Sequence, residues 1–197
     1  MQHAAIFSGF GGQGILFAGH VLAQAAVLEG RMVSWMPSYG PEMRGGTASC
    51  TVIVSDRPIG SPIVDAADSV VALNPPSLAK FERLLVPDGL LVLNASLIEA
   101  EHQRDDVEVV AIPCSAIARA AGDDRLVSVA ALGGLVARRR IVEPASVRQA
   151  LTDVASGHRP ELIAANAAAF TRGFETALTR MVRLPARRVQ HRPSLSR

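Results

Sequence analysis

Residues Phe7-Ser8-Gly9-Phe10-Gly11-Gly12-Gln13-Gly14 constrain this chain more than any other stretch. A short apolar run (Ala4, Ala5, Ile6, Phe7) precedes them and a long helix-like segment follows. Gly9, Gly11 and Gly14 satisfy the spacing G-x-G-x-x-G between a strand and a helix. Glycine suits that place because the chain turns tightly there and backbone comes close to a ligand or a neighbouring element. The unpaired N–H groups at the start of the next helix, at the positive end of its dipole, suit an anion such as phosphate. Taken alone the motif is weak. A dinucleotide site also wants Asp or Glu about 20 residues on, at the end of the second strand, to bind ribose. Here that place holds Val33-Ser34-Trp35-Met36 and then Pro37, with no carboxylate.

The rest of the chain alternates short β-branched runs with longer Ala/Leu-rich ones, the pattern of an α/β domain. Strands are expected over residues 4–8, 32–36, 47–55, 69–73, 90–94 and 107–112. The third is the longest and ends at Asp56-Arg57-Pro58, a turn signal, so part of the sheet is expected to be antiparallel. Helices are expected over 13–29, 76–84, 115–121, 127–139, 144–155 and 160–180, which makes the last third helical. Gly30 follows the first helix where a left-handed residue is wanted. Pro87-Asp88-Gly89 reads as a turn, and Pro144 and Pro160 suit first helical turns. In the last helix Leu162, Ile163, Asn166, Phe170, Phe174, Ala177 and Met181 share one stripe, read first as core and second as a subunit contact. The expectation is a three-layer α/β/α domain with a mixed, mostly parallel sheet and a Rossmann-like first turn.

At 197 residues the chain is expected to form one domain with a single substantial core. The formal charge is +2, but it is unevenly placed. Five arginines (Arg183, Arg187, Arg188, Arg192, Arg197) lie in the last 15 residues, which hold no acid. Without them, 15 basic residues face 18 acidic ones. Residues 1–182 are therefore read as the domain, and 183–197 as a flexible basic tail. That tail carries no interleaved aromatic residue for base stacking, so no nucleic-acid partner is expected. No run of 18 apolar residues suggests a membrane span, and the N-terminus lacks the charged start of a signal peptide. A cytoplasmic protein is the expectation. Cys50 and Cys114 are far apart and set among apolar residues, which suits two buried, reduced thiols.

A second segment is too unusual for a generic loop: Pro37-Ser38-Tyr39-Gly40-Pro41-Glu42-Met43-Arg44-Gly45-Gly46-Thr47-Ala48. With the glycine-rich turn upstream, it resembles the gamma subunit, or gamma domain, of 2-oxoacid:ferredoxin oxidoreductases. The likeness continues through Pro58-Ile59-Gly60-Ser61-Pro62-Ile63, Ala67-Asp68, Ala131-Leu132-Gly133 and Ala165-Asn166 to Arg172-Gly173. It covers about residues 4–178. Ser128 departs from the Asn that the family often carries there. The resemblance implies a complex that oxidatively decarboxylates a 2-oxo acid (pyruvate, 2-oxoglutarate, or a branched or aryl analogue) to acyl-CoA. Its alpha and beta subunits, in some cases with delta, would hold thiamine diphosphate, Mg and the iron–sulfur clusters. Ferredoxin would accept the electrons, and CoA would be the co-substrate.

This chain lacks those cofactor sites. Gly122-Asp123-Asp124 has no downstream Asn-Asn to complete a thiamine site and reads as a turn. Two cysteines without C-x-x-C spacing cannot hold a four-cysteine cluster. The five histidines never fall at ligand spacing, and His20 reads as a half-buried polar residue of the first helix. No nucleophile elbow surrounds Ser8. The chain is expected to bind no cofactor or metal by itself and to contribute no catalytic residue. The candidates for contact with substrate or CoA are Arg44, Tyr39, Gly40, Glu42, Gly45 and Gly46, beside Gly11, Gly12, Gln13 and Gly14. Arg44 offers a planar, permanently charged fork for phosphate or carboxylate. An ion pair with Glu42 or with a partner chain is the competing reading. Two other functions stay open: a free-standing nucleotide-binding enzyme and a purely structural assembly subunit.

Overall fold

The computed structural model describes residues 1–39, 47–99, 104–156 and 160–179. Among these residues six strands form one sheet: β1 (Gln2–Phe10), β2 (Met32–Tyr39), β3 (Thr47–Ser55), β4 (Ala67–Ala72), β5 (Leu85–Asn94) and β6 (Glu108–Ile112). Their order is β2-β3-β1-β4-β5-β6. β1, β4, β5 and β6 run parallel, whereas β3 is antiparallel to both β1 and β2. Among the described residues six α-helices accompany the sheet: α1 (Ile15–Leu28), α2 (Pro75–Phe81), α3 (Cys114–Ala120), α4 (Val127–Arg139), α5 (Pro144–Ser156) and α6 (Ile163–Thr179). Every strand and helix expected from the sequence is present, and the sheet is mixed and mostly parallel.

Strand alternation divides the interior into two cores. On β5, Leu90 and Val92 face the larger one, built with α1, α3, α4, α5 and α6. Leu91 and Leu93 face the smaller one beneath α2, with Ile6, Val70, Ala72, Leu78 and Phe81. A run that is apolar at every position is what a strand covered on both faces requires. Among the described residues the layers are unequal, with five α-helices on one face and one short α-helix on the other.

α4 is buried from Val127 to Ala137 because it lies between the sheet and α6. A Cβ on Gly134 would meet Ile112 Cδ1 of the sheet, and one on Gly133 would meet the Phe170 carbonyl of α6. Of the expected stripe, Asn166, Phe170 and Ala177 are buried core and Phe174 packs half-buried against it, whereas Leu162 and Ile163 are half-buried and Met181 lies outside the described residues. At the end of α1, Gly30 (φ 73°) is the left-handed residue foreseen. Gly30 N–H donates to the Val27 carbonyl at 2.9 Å and Arg31 N–H to the Ala26 carbonyl at 3.0 Å, the Schellman arrangement.

One local reading needs correction. Pro87-Asp88-Gly89 does not separate α2 from the next strand but lies inside β5. Ala67 pairs with Leu85 and Ser69 with Leu90, so the extra β5 residues form a bulge. Asp88 sits there at φ 60°. Its N–H donates to the Asp106 carbonyl at 2.8 Å, and its own carbonyl accepts Arg139 Nη2 at 2.9 Å. Those contacts hold within β5 what the local sequence alone reads as a turn.

Candidate functional site

The chain leaves β1 toward β2 on one side and later returns to β4 on the other, so the sheet changes winding direction at β1. In open α/β sheets the crevice beyond the strand carboxyl ends at such a point is where ligands bind. Residues 11–14, the glycine turn, occupy that point.

Each glycine of the turn has its own physical reason. Gly12 (φ 92°) and Gly14 (φ 75°) adopt conformations that side-chain-bearing residues rarely take. Gly14 is also packed: a Cβ there would lie 2.5 Å from the Arg125 carbonyl and 2.7 Å from Ser128 Oγ. The Ser128 hydroxyl donates to the Gly14 carbonyl at 2.8 Å, so the residue that departs from the family's usual Asn still makes a polar contact. At Gly9 a Cβ would strike Gln13 Oε1 and Ile15. Gly11 and Gly12 both have no described atom within 4 Å of a would-be Cβ, and Gly11 alone of the two has no positive φ.

Gln13 holds the turn together. Its Oε1 accepts the Phe10 N–H at 2.7 Å and Asn74 Nδ2 at 3.4 Å. The carbonyl end of this candidate ligand residue is thus engaged within the chain. Gly14 caps α1 with no side-chain hydrogen bond, and the first turn of α1 holds no acid. The leading N–H groups of a 14-residue helix keep their positive field at the turn.

The register puts both ends of the second signature at this same end of the sheet. Thr47 stands opposite Phe10 and Ala48 opposite Gly9, while Tyr39 stands opposite Ala48. β2 therefore finishes, and β3 begins, level with the last two residues of β1. Gly40, Glu42, Arg44, Gly45 and Gly46, and the side chain of Tyr39, lie outside the described residues.

A row of buried polar residues lines the same end, and of these the sequence singles out Ser8 alone, as no nucleophile. Ser8 Oγ donates to Ser77 Oγ at 3.0 Å. Asn74 Oδ1 accepts the Ser77 N–H at 2.9 Å, which caps α2. Asn94 Nδ2 donates to the Leu73 carbonyl at 3.2 Å and to Ser115 Oγ at 2.9 Å. Ser8, Asn74, Ser77 and Asn94 are all fully buried. Their hydrogen bonds knit the ends of β1, β4 and β5 to α2 and α3, so they brace the crevice from below. The signal available in the sequence was an Asn closing each of two apolar strands.

The thiols do not join this site as ligands. Cys50 lies under α1, with Gly19 packed against its sulfur. Burial pushes its pKa up to about 12, against a smaller opposing pull from the Trp35 side-chain hydrogen bond. Cys114 is buried completely, which raises its pKa as well. Thiolate is the metal-binding form, so neither residue suits a cluster. Among the described residues no three His, Cys, Asp or Glu side chains are grouped to hold a metal ion. No described helix is long and apolar enough to cross a membrane. His20 is exposed rather than half-buried, and its ring stacks on Trp35 with centroids 5.2 Å apart.

Comparison with known proteins places this geometry. The family model described as pyruvate ferredoxin/flavodoxin oxidoreductase matches residues 4–176. Ketoisovalerate oxidoreductase subunit VorA of Methanothermobacter thermautotrophicus is 44% identical over 130 residues, 66% of this chain and 27% of that protein. The chain thus spans about a quarter of the length of that relative. 2-Oxoglutarate synthase subunit KorC of Methanocaldococcus jannaschii is 33% identical over 180 residues, covering 90% of this chain and 95% of that one. Among solved structures, the gamma subunit of a keto/oxoacid ferredoxin oxidoreductase from Geobacter sulfurreducens superposes with TM-score 0.80. It is 29% identical and covers 91% of this chain and 98% of its own.

Proposed function

From its membership of the pyruvate ferredoxin/flavodoxin oxidoreductase family, we propose that this chain is the gamma-type component of a 2-oxoacid:ferredoxin oxidoreductase. The complex converts 2-oxo acid, CoA and oxidised ferredoxin into acyl-CoA, CO2 and reduced ferredoxin. Thiamine diphosphate, Mg and the iron–sulfur clusters reside on alpha and beta partners. Among the described residues the two buried, protonated thiols and the separate His3 and His20 do not fit such groups, and no step passes through them here. Its own contribution is positional: it closes over the reacting groups and CoA with residues 11–14 and 39–46.

The observation that carries this reading is the register, which brings the ends of β1, β2 and β3 level at the winding switch. An anion approaching there meets the unpaired N–H groups and positive end of α1. Arg44 adds a guanidinium for a CoA phosphate or the 2-oxo acid carboxylate. A free-standing dinucleotide enzyme is disfavoured, because β2 carries no acid from Met32 to Tyr39 to receive ribose.

The test is Arg44→Ala in the reconstituted complex. Loss of a charge-assisted contact worth about 1.5–3 kcal/mol lowers kcat/KM for CoA or the 2-oxo acid roughly 10- to 150-fold. Arg44→Lys recovers only part, because a point charge cannot reproduce a bidentate fork. Unchanged kinetics would remove Arg44 from the site, and a complex that fails to assemble would make it an interface residue.

A further inference from the structure

α1 and β2 together expose a surface without charge. None of residues 15–28 or 32–39 is Asp, Glu, Lys or Arg, in a chain where 19% of residues are. His20 and Gln24 are the polar side chains of α1, and a helix this apolar is normally enclosed over most of its surface. α1 is enclosed on its sheet side, yet Val27 (54%) and Leu28 are exposed at its end. The tight turn through Gly30 brings the chain directly to Met32, which is 51% exposed, and on to the exposed Trp35 and Met36. Trp35 carries the His20 ring stacked on it. Met32 and Met36 lie on the opposite face of β2 from Trp35. Because β2 is the outermost strand, the apolar strip wraps around its free edge. The charged residues between α1 and β2 are engaged: Glu29 Oε1 accepts the Glu143 N–H at 2.7 Å, and Arg31 pairs with Asp56 at 2.7 Å.

We infer that this strip is the permanent docking face for the partner subunit of the complex, met by an equally uncharged, apolar surface on that subunit. The inference rests on the functional reading above. Two observations choose this occupant over a second copy of the chain. Joining copies edge to edge would need a continuous ladder along β2, and Pro37 removes an N–H from that strand. The 130 residues that VorA shares with this chain are 27% of a longer protein, so there they have covalently attached neighbours. Lifelong neighbours of that kind meet through apolar, charge-depleted surfaces.

The experiment purifies the complex through a tag on this chain, co-expressed with its partner subunits, and identifies retained chains by mass spectrometry. Wild type is compared with Val27→Lys/Met32→Lys and with Leu178→Lys, a control at an exposed apolar residue of α6. The double variant is expected to lose the thiamine-bearing subunits by roughly tenfold or more, since ammonium groups are costly to bury unpaired. The control retains them, and the melting temperature of the isolated double variant stays near that of wild type. Retention of the subunits by both wild type and double variant overturns this inference alone. Retention by the double variant, with a wild-type dimer that it converts to monomer, assigns the strip to a second copy and overturns it too. A wild-type chain that retains no 2-oxoacid oxidoreductase subunit overturns the functional reading, and with it the partner named here.

Discussion

At the scale of single residues, the glycines of the first turn separate into structural and outward-facing ones. Gly14→Ala would have to keep φ near 75° and place a methyl 2.5 Å from the Arg125 carbonyl. The left-handed conformation and the clash together should cost about 2–4 kcal/mol, read as a lowered denaturant midpoint for the isolated chain. Gly11→Ala meets no described atom and no positive φ. It should leave the isolated chain as stable or up to about 1 kcal/mol more so, because the unfolded chain loses freedom. If the turn faces CoA or substrate, the same methyl lowers activity of the complex; equal losses of stability and activity would count against that role. His3, at the opposite end of the sheet, makes stability depend on pH just below 6.5. Burial lowers its pKa below 6.5, and Arg139 adds to this against the opposing pull of Asp68. Its Nε2 lies 3.0 Å from Ser69 Oγ. The native state therefore favours neutral His3 while the unfolded chain takes a proton near pH 6.5. Its contribution is full above that pH and is lost as pH falls toward the folded value, by up to about 1.4 kcal/mol per pH unit. Urea titrations at pH 7.5 and 5.5 should show this slope, and His3→Asn should flatten it.

At the scale of elements, the crossing of α4 and α6 is the most tightly specified contact. A Cβ on Gly173 would fall 1.9 Å from the Ala130 carbonyl, and one on Gly133 would meet Phe170 and Phe174 backbone. No rotamer relieves a clash with backbone, so Gly173→Ala must push the helices apart and is expected to cost about 2–4 kcal/mol. Thermal melting of the isolated chain checks it; a shift under about 2 °C would mean the helices slide freely. This pair also marks how far the sequence could be read. Ala131-Leu132-Gly133 and Arg172-Gly173 stood out, but nothing local says that the two glycines face one another. The strands announced themselves because apolar runs buried on both faces leave a contiguous signal, as in Leu90–Leu93. The β5 bulge did not, since Pro87-Asp88-Gly89 is turn chemistry until Asp106 and Arg139 hold it in the sheet. The glycine turn was evident from spacing, whereas Asn74 and Asn94 were hidden because a buried asparagine acquires meaning only from partners distant in the chain.

At the scale of the whole molecule, the fold is lopsided, and this bears on which parts of the chain stability depends on. The larger core joins α1, α3, α4, α5 and α6 on one face of the sheet, and its last buried contribution from the C-terminal end is Ala177. The described structure ends at Thr179, and residues 183–197 lie beyond it. That segment shows no apolar periodicity, is interrupted by prolines, and holds five of the 20 basic residues with no acid. The domain is accordingly proposed to be residues 1–182. Ending the chain after Val182 should leave the cooperative melt intact, with a midpoint within a few degrees of the full chain. For a domain of this size about 1 kcal/mol moves the midpoint by roughly 2–4 °C, so a drop above about 5 °C would mean that the tail packs on the core. The same truncation takes the formal charge from +2 to −3, because five arginines and no acids are removed. The shortened chain should therefore change from cation to anion near neutral pH and bind an anion exchanger that the full chain passes through. Unchanged binding of partner subunits by the shortened chain would confine assembly to the folded domain, whereas loss of binding with an unchanged melt would give the arginines an electrostatic role in assembly.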